Sequence, residues 1–198
     1  MTAMIDYNAG NVFSVAAALR RLGEEVVLTD QADVILSADR VVFPGVGYAD
    51  AAMKELERRG LVDVLTRVEV PFLGICLGMQ LMCRHSQEGD VDMLSIVDAP
   101  VVRFERDVCR KIPQIGWNRV YGMDCPLFDG IRDGSWFFFD HSYHVPLMEQ
   151  DCAARTEYYG YEYSSAISKG LFFGVQFHPE KSGKDGSRLL ANFLSMEA

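Results

Sequence analysis

The sequence predicts an α/β fold, namely a single domain whose mostly parallel central sheet is flanked by helices and extended by antiparallel strands. Three observations predict it. Short apolar runs bounded by Gly, Pro or Asp alternate with segments whose apolar residues recur at helical spacing. A middle region is richer in aromatic and β-forming residues. The 198 residues suit one α/β core and contain no obvious linker. Alternating β and α segments favour a parallel sheet covered on both faces.

The elements follow in order along the chain. The first strand starts unusually close to Met1 and leads into a loop at residues 7–11. Further strands are predicted at residues 40–43, 70–75 and 171–177, and helices at residues 12–22, 50–59 and 77–85. Residues 101–165 are expected to add antiparallel strands within the same domain. Functional groups should collect at the carboxyl ends of the parallel strands.

Composition excludes several classes of protein. The formal net charge of -9 argues against a general electrostatic grip on nucleic acid or on anionic membranes. The five cysteines form no Cys-x-x-Cys pair, so neither a metal site nor a disulfide framework is indicated, and their odd number fits a reducing cytosol. No apolar run could cross a bilayer, and the first residues lack signal-peptide features. We expect a soluble, cytoplasmic protein without metal or cofactor.

A cysteine lies in a turn of the kind that carries nucleophiles. Gly74-Ile75-Cys76-Leu77-Gly78 follows an apolar strand and opens a helix. Backbone N–H groups and the helix dipole at such a position favour a thiolate, and the N–H of Leu77 can bind an oxyanion. The pentapeptide alone is equally compatible with a small buried cysteine in an ordinary turn.

A candidate base follows the strand at residues 171–177, on the same rim of the sheet. A nucleophilic thiol needs a histidine to carry protons, and that histidine needs an acceptor to fix its tautomer. His178-Pro179-Glu180 supplies both groups. His141 and His144 are competing bases near another predicted strand end. His178 is favoured because a carboxylate lies two residues away and a proline stiffens the link.

The segment Pro44-Gly45-Val46-Gly47 follows another strand. Two glycines around Val46 permit a peptide to turn its N–H toward the site, which would give a second oxyanion donor beside Leu77. Alone this signal is weak, because Pro-Gly is foremost a turn signal.

Together the segments Pro-Gly-Val-Gly, Gly-Ile-Cys-Leu-Gly-Met-Gln and Gln-Phe-His-Pro-Glu, in that order, resemble the class I (triad) glutamine amidotransferases. The resemblance implies a flavodoxin-like fold, one amidotransferase domain over residues 1–198, and hydrolysis of L-glutamine to glutamate and ammonia. It makes Cys76 the nucleophile, His178 the proton shuttle and Glu180 its orienting partner. The residues that would hold the amino-acid head of glutamine are Gly47, Gln80, Glu88, Ser142 and Tyr143. Gln80, four residues after Cys76, lies one helical turn further on the same face.

Further segments resemble the branch of this family that serves histidine biosynthesis. They are Asp6-Tyr7-Asn8-Ala9-Gly10-Asn11, Gly116-Trp117-Asn118, His141-Ser142-Tyr143 and His178-Pro179-Glu180-Lys181-Ser182. This branch implies a heterodimer with a (β/α)8 barrel cyclase, which uses the ammonia to make imidazole glycerol phosphate and an aminoimidazole carboxamide ribotide. The residues that would face that partner are Tyr7 to Asn11, Trp117 and Lys181. The chain departs from its relatives at Gln114, where a histidine is common, and at Asp140, where an apolar residue is usual.

Three alternatives remain at this point. The chain could be a paralogous amidotransferase that supplies ammonia to another synthase, for example in surface-sugar biosynthesis. It could be a stand-alone cysteine hydrolase of the peptidase or γ-glutamyl type. It could also be a non-catalytic module with a decayed site, which the intact Cys76, His178 and Glu180 disfavour.

Overall fold

The computed structural model describes residues 1–8 and 10–197, so that Ala9 of the predicted 7–11 loop and Ala198 lie outside the described residues. The elements in chain order are β1 (Thr2–Ile5), α1 (Val12–Arg21), β2 (Val26–Thr29), α2 (Ala32–Leu36), β3 (Arg40–Gly45), α3 (Ala49–Arg58), α4 (Val62–Thr66), β4 (Phe72–Cys76), α5 (Leu77–Leu81), β5 (His85–Ser86), β6 (Val91–Asp92), β7 (Pro100–Arg103), β8 (Gln114–Arg119), β9 (Trp136–His141), β10 (Tyr143–Pro146), β11 (Cys152–Tyr158), β12 (Tyr161–Lys169), β13 (Phe172–Val175) and α6 (Gly183–Leu194). Short 3₁₀ helices lie at Pro126–Phe128 and Pro179–Lys181.

The central sheet has a parallel half and an antiparallel half. Strands β2, β1, β3, β4 and β13 lie side by side in that order and pair in parallel. Antiparallel β12 and β10 continue the sheet, β7 pairs antiparallel with β10, and β11 pairs with β12. Strands β8 and β9 form a separate antiparallel ribbon. The predicted mostly parallel sheet with added antiparallel strands is confirmed.

The sheet divides the core into two layers. Leu73 and Ile75 of β4 point into a cluster that includes residues of α1 and α6, whereas Phe72 points into a cluster that includes residues of α3 and α5. Every residue of β4 is therefore buried. A strand covered on both faces reads as a continuous apolar run, which is why this strand could be recognised in the sequence. No helix in the described part of the chain combines the length and apolar character that a membrane span requires.

The predicted helix at residues 77–85 was wrong in its length. Helix α5 ends at Leu81, and His85 lies in β5. The N–H groups of Met82 and Cys83 bond to carbonyls three residues back, which tightens the last turn. The N–H of Arg84 then bonds to the Ala99 carbonyl, so the chain leaves the helix there.

Two glycines allow α5 to pack closely on the sheet. A Cβ placed on Gly78 would overlap the Phe43 carbonyl oxygen in β3, and one on Gly74 would lie 2.8 Å from the Gly78 carbonyl. Backbone cannot move away as a flexible side chain can. The glycines therefore hold the start of α5 against the ends of β3 and β4.

We expect Gly78→Ala to lower the free energy of unfolding by about 3 kcal/mol, because overpacking against backbone forces the helix away from the sheet. Urea unfolding at an unchanged slope would measure the loss. Gly23→Ala is the matched control, because Gly23 has a positive φ of 89° but no atom within 4 Å of an added Cβ. Its cost should be about 1–2 kcal/mol, from backbone conformation alone. Equal losses in the two variants would contradict a steric origin.

Candidate active site

Cys76 ends β4 and directly precedes α5, with φ 54° and ψ -108°. A side chain with a Cβ seldom adopts a positive φ, and such a conformation costs on the order of 1–3 kcal/mol unless the surroundings enforce it. The close packing of Gly74 and Gly78 enforces it here. The strained turn places the thiol at the carboxyl end of a parallel strand, where the sequence predicts a nucleophile.

His178 and Glu180 form a buried pair just beyond β13. The His178 Nδ1 atom lies 2.9 Å from Glu180 Oε1, and the two side chains are only 1% and 0% exposed. Main-chain bonds fix their backbone: the His178 N–H donates to the Phe138 carbonyl at 2.8 Å, and the Ser182 hydroxyl donates to the His178 carbonyl at 2.6 Å. Because Nδ1 faces the carboxylate, Nε2, which has no hydrogen-bond partner among the described residues, remains free to exchange protons.

Asn11 is a second partner of the same carboxylate. Its side-chain Nδ2 donates to Glu180 Oε1 at 2.6 Å. The family resemblance places Asn11 on the partner face, and the structure adds this contact with the catalytic candidates. Asn11 itself has φ 71° directly before α1, and from this position its amide reaches Glu180.

Electrostatics favour a charged histidine. Burial lowers the pKa of His178, but the nearby Cys76 sulfur and the Glu180 carboxylate outweigh burial and raise the pKa to about 10. Burial raises the pKa of Glu180, but the hydrogen bonds and charge of His178, together with Asn11, outweigh it, so that the pKa is lowered. His178 is therefore charged at neutral pH.

The two competing histidines lie in different surroundings. His141 Nδ1 is 2.8 Å from the Tyr143 carbonyl and Nε2 is 3.3 Å from the Tyr163 hydroxyl, and burial lowers its pKa to about 3. His144 stacks on Phe104 with ring centroids 4.2 Å apart, and burial lowers its pKa to about 4. Both imidazoles are neutral at pH 7. The geometry thus favours the histidine paired with Glu180 as the proton carrier.

A cleft of about 340 Å³ opens beside Cys76. Among the predicted oxyanion and substrate residues, those that line it are Val46, Gly47, Leu77, Gln80, Glu88, Ser142 and Tyr143. Tyr48, Pro113, Asp140 and His141 complete the lining. The structure therefore brings together side chains from loops that are up to about a hundred residues apart in the sequence, at a volume typical of a small-molecule site.

The polar groups of this cleft are held by hydrogen bonds. Gln80 Nε2 donates to the Tyr143 carbonyl at 2.8 Å and to Gln176 Oε1 at 2.9 Å. Glu88 Oε2 accepts from the Ala49 N–H at 3.0 Å, and burial raises the pKa of this carboxyl. Gln80 therefore keeps its carbonyl oxygen for a ligand, and Glu88 can offer its second carboxylate oxygen. Both are acceptors suited to an ammonium group.

The predicted oxyanion donors lie on both sides of the nucleophile. Leu77 is the first residue of α5, so its N–H has no acceptor within the helix. Gly45 pairs with Cys76 across β3 and β4. The Tyr7 hydroxyl donates to the Pro44 carbonyl at 3.0 Å and anchors the end of β3, whereas Val46 beyond it is exposed.

Two residues at this site lie in segments that the sequence pointed to, but neither was given a role at the nucleophile. Tyr7 is buried and anchors Pro44, and Gln176 is buried between Gln80 and Cys76. A signal for Gln176 was present, since it is a polar residue at the end of an apolar strand. Its contacts depend on three segments meeting in space.

The two departures from the family pattern lie close to the site. Gln114 is buried in β8, and its Oε1 accepts from the Tyr163 hydroxyl at 3.0 Å. Asp140 is exposed on β9, and its main-chain carbonyl lies 3.9 Å from Cys76 Sγ. Within residues 1–8 and 10–197, no group of three or more His, Cys, Asp or Glu residues is placed to hold a metal ion.

An exposed aromatic surface borders the site. Trp117 of β8 is 53% exposed, and its ring packs edge-on against Phe138 of β9 at 6.2 Å. Lys181 Nζ lies 5.4 Å from the centre of the Phe138 ring, and the His178 ring lies 6.4 Å from the same ring between centroids. We call Trp117, Phe138 and Lys181 the aromatic rim.

Comparison with known proteins gives consistent results. The family profile described as "Glutamine amidotransferase class-I" matches residues 3–196. The chain is 46% identical over 195 residues to the "Imidazole glycerol phosphate synthase subunit HisH" of Bacteroides thetaiotaomicron, covering 98% of each chain. It is 46% identical over 192 residues to the Haemophilus influenzae protein of the same description, covering 96% of this chain and 95% of the relative.

Solved structures share the fold. A structure described as a glutamine amidotransferase aligns with a TM-score of 0.74 and 19% identity, over 97% of this chain and 96% of that one. A glutamine amidotransferase from Thermotoga maritima aligns with a TM-score of 0.65 and 22% identity, over 98% of this chain and 81% of that one.

We expect Glu180→Gln to lower the pKa of His178, because the variant keeps a hydrogen-bond acceptor but loses the negative charge. The histidine titration midpoint, followed by NMR of the labelled ring, should lie about 1–3 pH units below that of the parent protein. In the parent, the folded-state pKa of about 10 exceeds the ordinary value of 6.5. The pair's contribution to stability is thus complete below about pH 6.5 and is lost as the pH rises through about 10.

Glu162→Gln is the matched control, because Glu162 pairs with Arg155 on the exposed β11–β12 hairpin. It should leave the His178 midpoint unchanged. An unchanged midpoint in Glu180→Gln would contradict the assignment of Glu180 as the orienting carboxylate.

Proposed function

The chain belongs to the class-I glutamine amidotransferase family, and on that premise we propose that it is the glutaminase subunit of an imidazole glycerol phosphate synthase. The assignment to histidine biosynthesis is supported by relatives described as subunit HisH, which are 46% identical over nearly the full length of this chain. The observation that carries the chemistry is a strained Cys76 that lines the cleft and a buried His178–Glu180 pair whose histidine is close enough for Cys76 to raise its pKa.

In the proposed first half-reaction, the Cys76 thiolate attacks the side-chain amide carbon of L-glutamine. The oxyanion that forms binds the N–H of Leu77 and the N–H of the Gly45–Val46 peptide. His178, charged at neutral pH, donates its Nε2 proton to the amide nitrogen. The C–N bond breaks, ammonia leaves, and a γ-glutamyl thioester remains on the sulfur.

In the second half-reaction, water attacks the thioester carbon and gives up a proton to His178. The C–S bond then breaks, which releases glutamate and restores the thiolate and the imidazolium. Glu180 takes no proton in either step. Its role is to hold the Nδ1–H tautomer and to stabilise the imidazolium, as the 2.9 Å contact supports.

The amino-acid head of glutamine would bind at the far end of the cleft. The Gln80 carbonyl oxygen and the Glu88 carboxylate would accept hydrogen bonds from the α-ammonium group, since both residues line the cleft. Ser142, Tyr143 and Gly47 line the same cleft, and their main-chain groups would hold the α-carboxylate. The reacting amide then points toward Cys76.

The product calls for a partner protein, because water would protonate free ammonia at neutral pH. The relatives are themselves described as subunits. We infer that the partner is a (β/α)8 barrel cyclase that covers the cleft and uses the ammonia to make imidazole glycerol phosphate and an aminoimidazole carboxamide ribotide. The aromatic rim, together with the half-exposed Ile115 two residues before Trp117 on β8, offers an apolar surface for it.

The alternatives are less well supported. A surface-sugar paralogue would share the site, but the relatives reported above are described as subunits of imidazole glycerol phosphate synthase. A stand-alone hydrolase would not explain why the aromatic rim is exposed, since such a protein needs no partner to cover it. We also propose one amidotransferase domain over residues 1–198, which the profile match to residues 3–196 supports. A cytoplasmic location is part of the proposal too, and the five free cysteines support it.

We expect Cys76→Ser to abolish glutamate formation from glutamine, by at least about a thousandfold, with and without the cyclase, because a serine hydroxyl at this site is a far weaker nucleophile than a thiolate. A coupled glutamate assay measures it. Cys83→Ser is the matched control, since Cys83 is buried in the helical turn after α5 and lies outside the cleft lining. Retained activity in Cys76→Ser would refute the proposed nucleophile.

We expect Trp117→Ala to weaken binding of the cyclase about 10- to 100-fold, because a large exposed aromatic is a typical interface anchor. Titration of the cyclase, with stimulated glutaminase activity as readout, measures this effect, and the maximal stimulated rate should change little. Leu28→Ala is the control, as Leu28 is 41% exposed on the edge strand β2 away from the rim. Glutaminase activity that is indifferent to any added cyclase would favour the stand-alone hydrolase.

A further inference from the structure

We propose that Gln176 is a further catalytic residue, whose side-chain amide donates a hydrogen bond to the Cys76 sulfur. The proposal rests on Cys76 being the nucleophile. Gln176 lies between the end of β13 and His178 and is fully buried. Its Nε2 is 3.7 Å from Cys76 Sγ, and its main-chain N–H donates to the Ser165 carbonyl at 2.9 Å, which fixes the backbone beneath it.

The Tyr143 carbonyl determines which way the side-chain amides of Gln80 and Gln176 are oriented. The Tyr143 carbonyl can only accept, so the side-chain group of Gln80 that faces it at 2.8 Å must be the NH₂. The same NH₂ lies 2.9 Å from the Gln176 side chain, which must present its oxygen there. The Gln176 NH₂ is thereby directed at Cys76 Sγ.

This contact acts on a reacting atom. The sulfur carries negative charge before the attack and again when water expels it from the thioester. A hydrogen bond to a charged acceptor is stronger than one to a neutral acceptor, so the amide favours the thiolate over the thiol. Gln176 therefore supplies a neutral donor to the sulfur, in addition to the charge of the nearby His178 imidazolium.

The amide also links the nucleophile to substrate recognition. Both N–H groups of Gln80 are engaged, by Tyr143 and by Gln176, so its carbonyl oxygen is held toward the cleft. Without Gln176, the Gln80 amide could rotate. If Gln176 only filled space, an apolar side chain would serve at this fully buried position. A buried amide costs free energy unless it is hydrogen-bonded, so a glutamine here points to a use for its hydrogen bonds.

The test compares Gln176→Met with Gln176→Glu in the full chain. Methionine keeps the volume but removes both hydrogen-bonding groups, whereas glutamate keeps an oxygen for Gln80 and loses the amide donor. The readout is the rate at which iodoacetamide alkylates Cys76 between about pH 5.5 and 9.5, located by peptide mapping against Cys76→Ser. Iodoacetamide needs no amino-acid head, so it reports on the sulfur rather than on glutamine binding.

In both variants we expect alkylation at pH 7 to slow about tenfold and the midpoint of the rate curve to move to higher pH. With the cyclase present, kcat for glutamine should fall about 10- to 100-fold in both, and KM should rise more in Gln176→Met than in Gln176→Glu. Thr156→Val is the matched control. It removes a buried hydroxyl that donates to the Ser165 hydroxyl at 2.8 Å, outside the cleft lining, and it should leave the alkylation curve in place.

A wild-type alkylation curve in a folded Gln176 variant would overturn the inference, and Gln176→Glu decides the question if Gln176→Met does not fold. The outcome is separable from the proposed function. If Cys76→Ser is inactive while the Gln176 variants behave as the parent, only the role of Gln176 fails. If Cys76→Ser is active, the proposed nucleophile itself fails.

Discussion

The contact on which the site depends is the close approach of α5 to the ends of β3 and β4. Gly78 lies against the Phe43 carbonyl, where no side chain fits. This packing forces Cys76 into a positive φ and sets the N–H of Leu77 beside it. The parallel register places Gly45 directly next to Cys76, so the loop that carries the second donor starts beside the nucleophile. Nucleophile and oxyanion donors are thus products of one backbone packing arrangement.

The second constraint is the burial of the charged His178 and Glu180 side chains, which the fold stabilises with hydrogen-bonding partners. Histidine and glutamate side chains that are almost fully buried would be costly if alone, since desolvation penalises each charged form. His178 and Glu180 compensate each other, and Asn11 adds a donor to the carboxylate from the start of α1. Because the parallel strands end at one rim, these groups and Cys76 reach the same place from distant parts of the chain.

One side of the cleft is held by side-chain hydrogen bonds, and the other ends in an exposed loop. Gln80, Gln176 and the Tyr143 carbonyl form a hydrogen-bonded chain that leads from the substrate space to the sulfur. On the opposite side, Tyr7 anchors the Pro44 carbonyl, but Val46 is exposed beyond that anchor. Under the proposed function, substrate recognition would be built into the chain, and the complex would complete the oxyanion site.

Local patterns in the sequence determined much of this protein. Continuous apolar runs marked β3, β4 and β13, because strands buried on both faces need apolar residues throughout. The Gly-x-Cys-x-Gly turn and His178-Pro179-Glu180 marked the chemistry, because strained turns and paired bases need those residue types at those spacings. Only the tertiary structure decided where α5 ends, since the N–H of Arg84 bonds to Ala99 rather than within a helix. It likewise decided the contacts of Asn11, Tyr7 and Gln176, because these join segments far apart in the chain, and their partners are set by packing that no local pattern records.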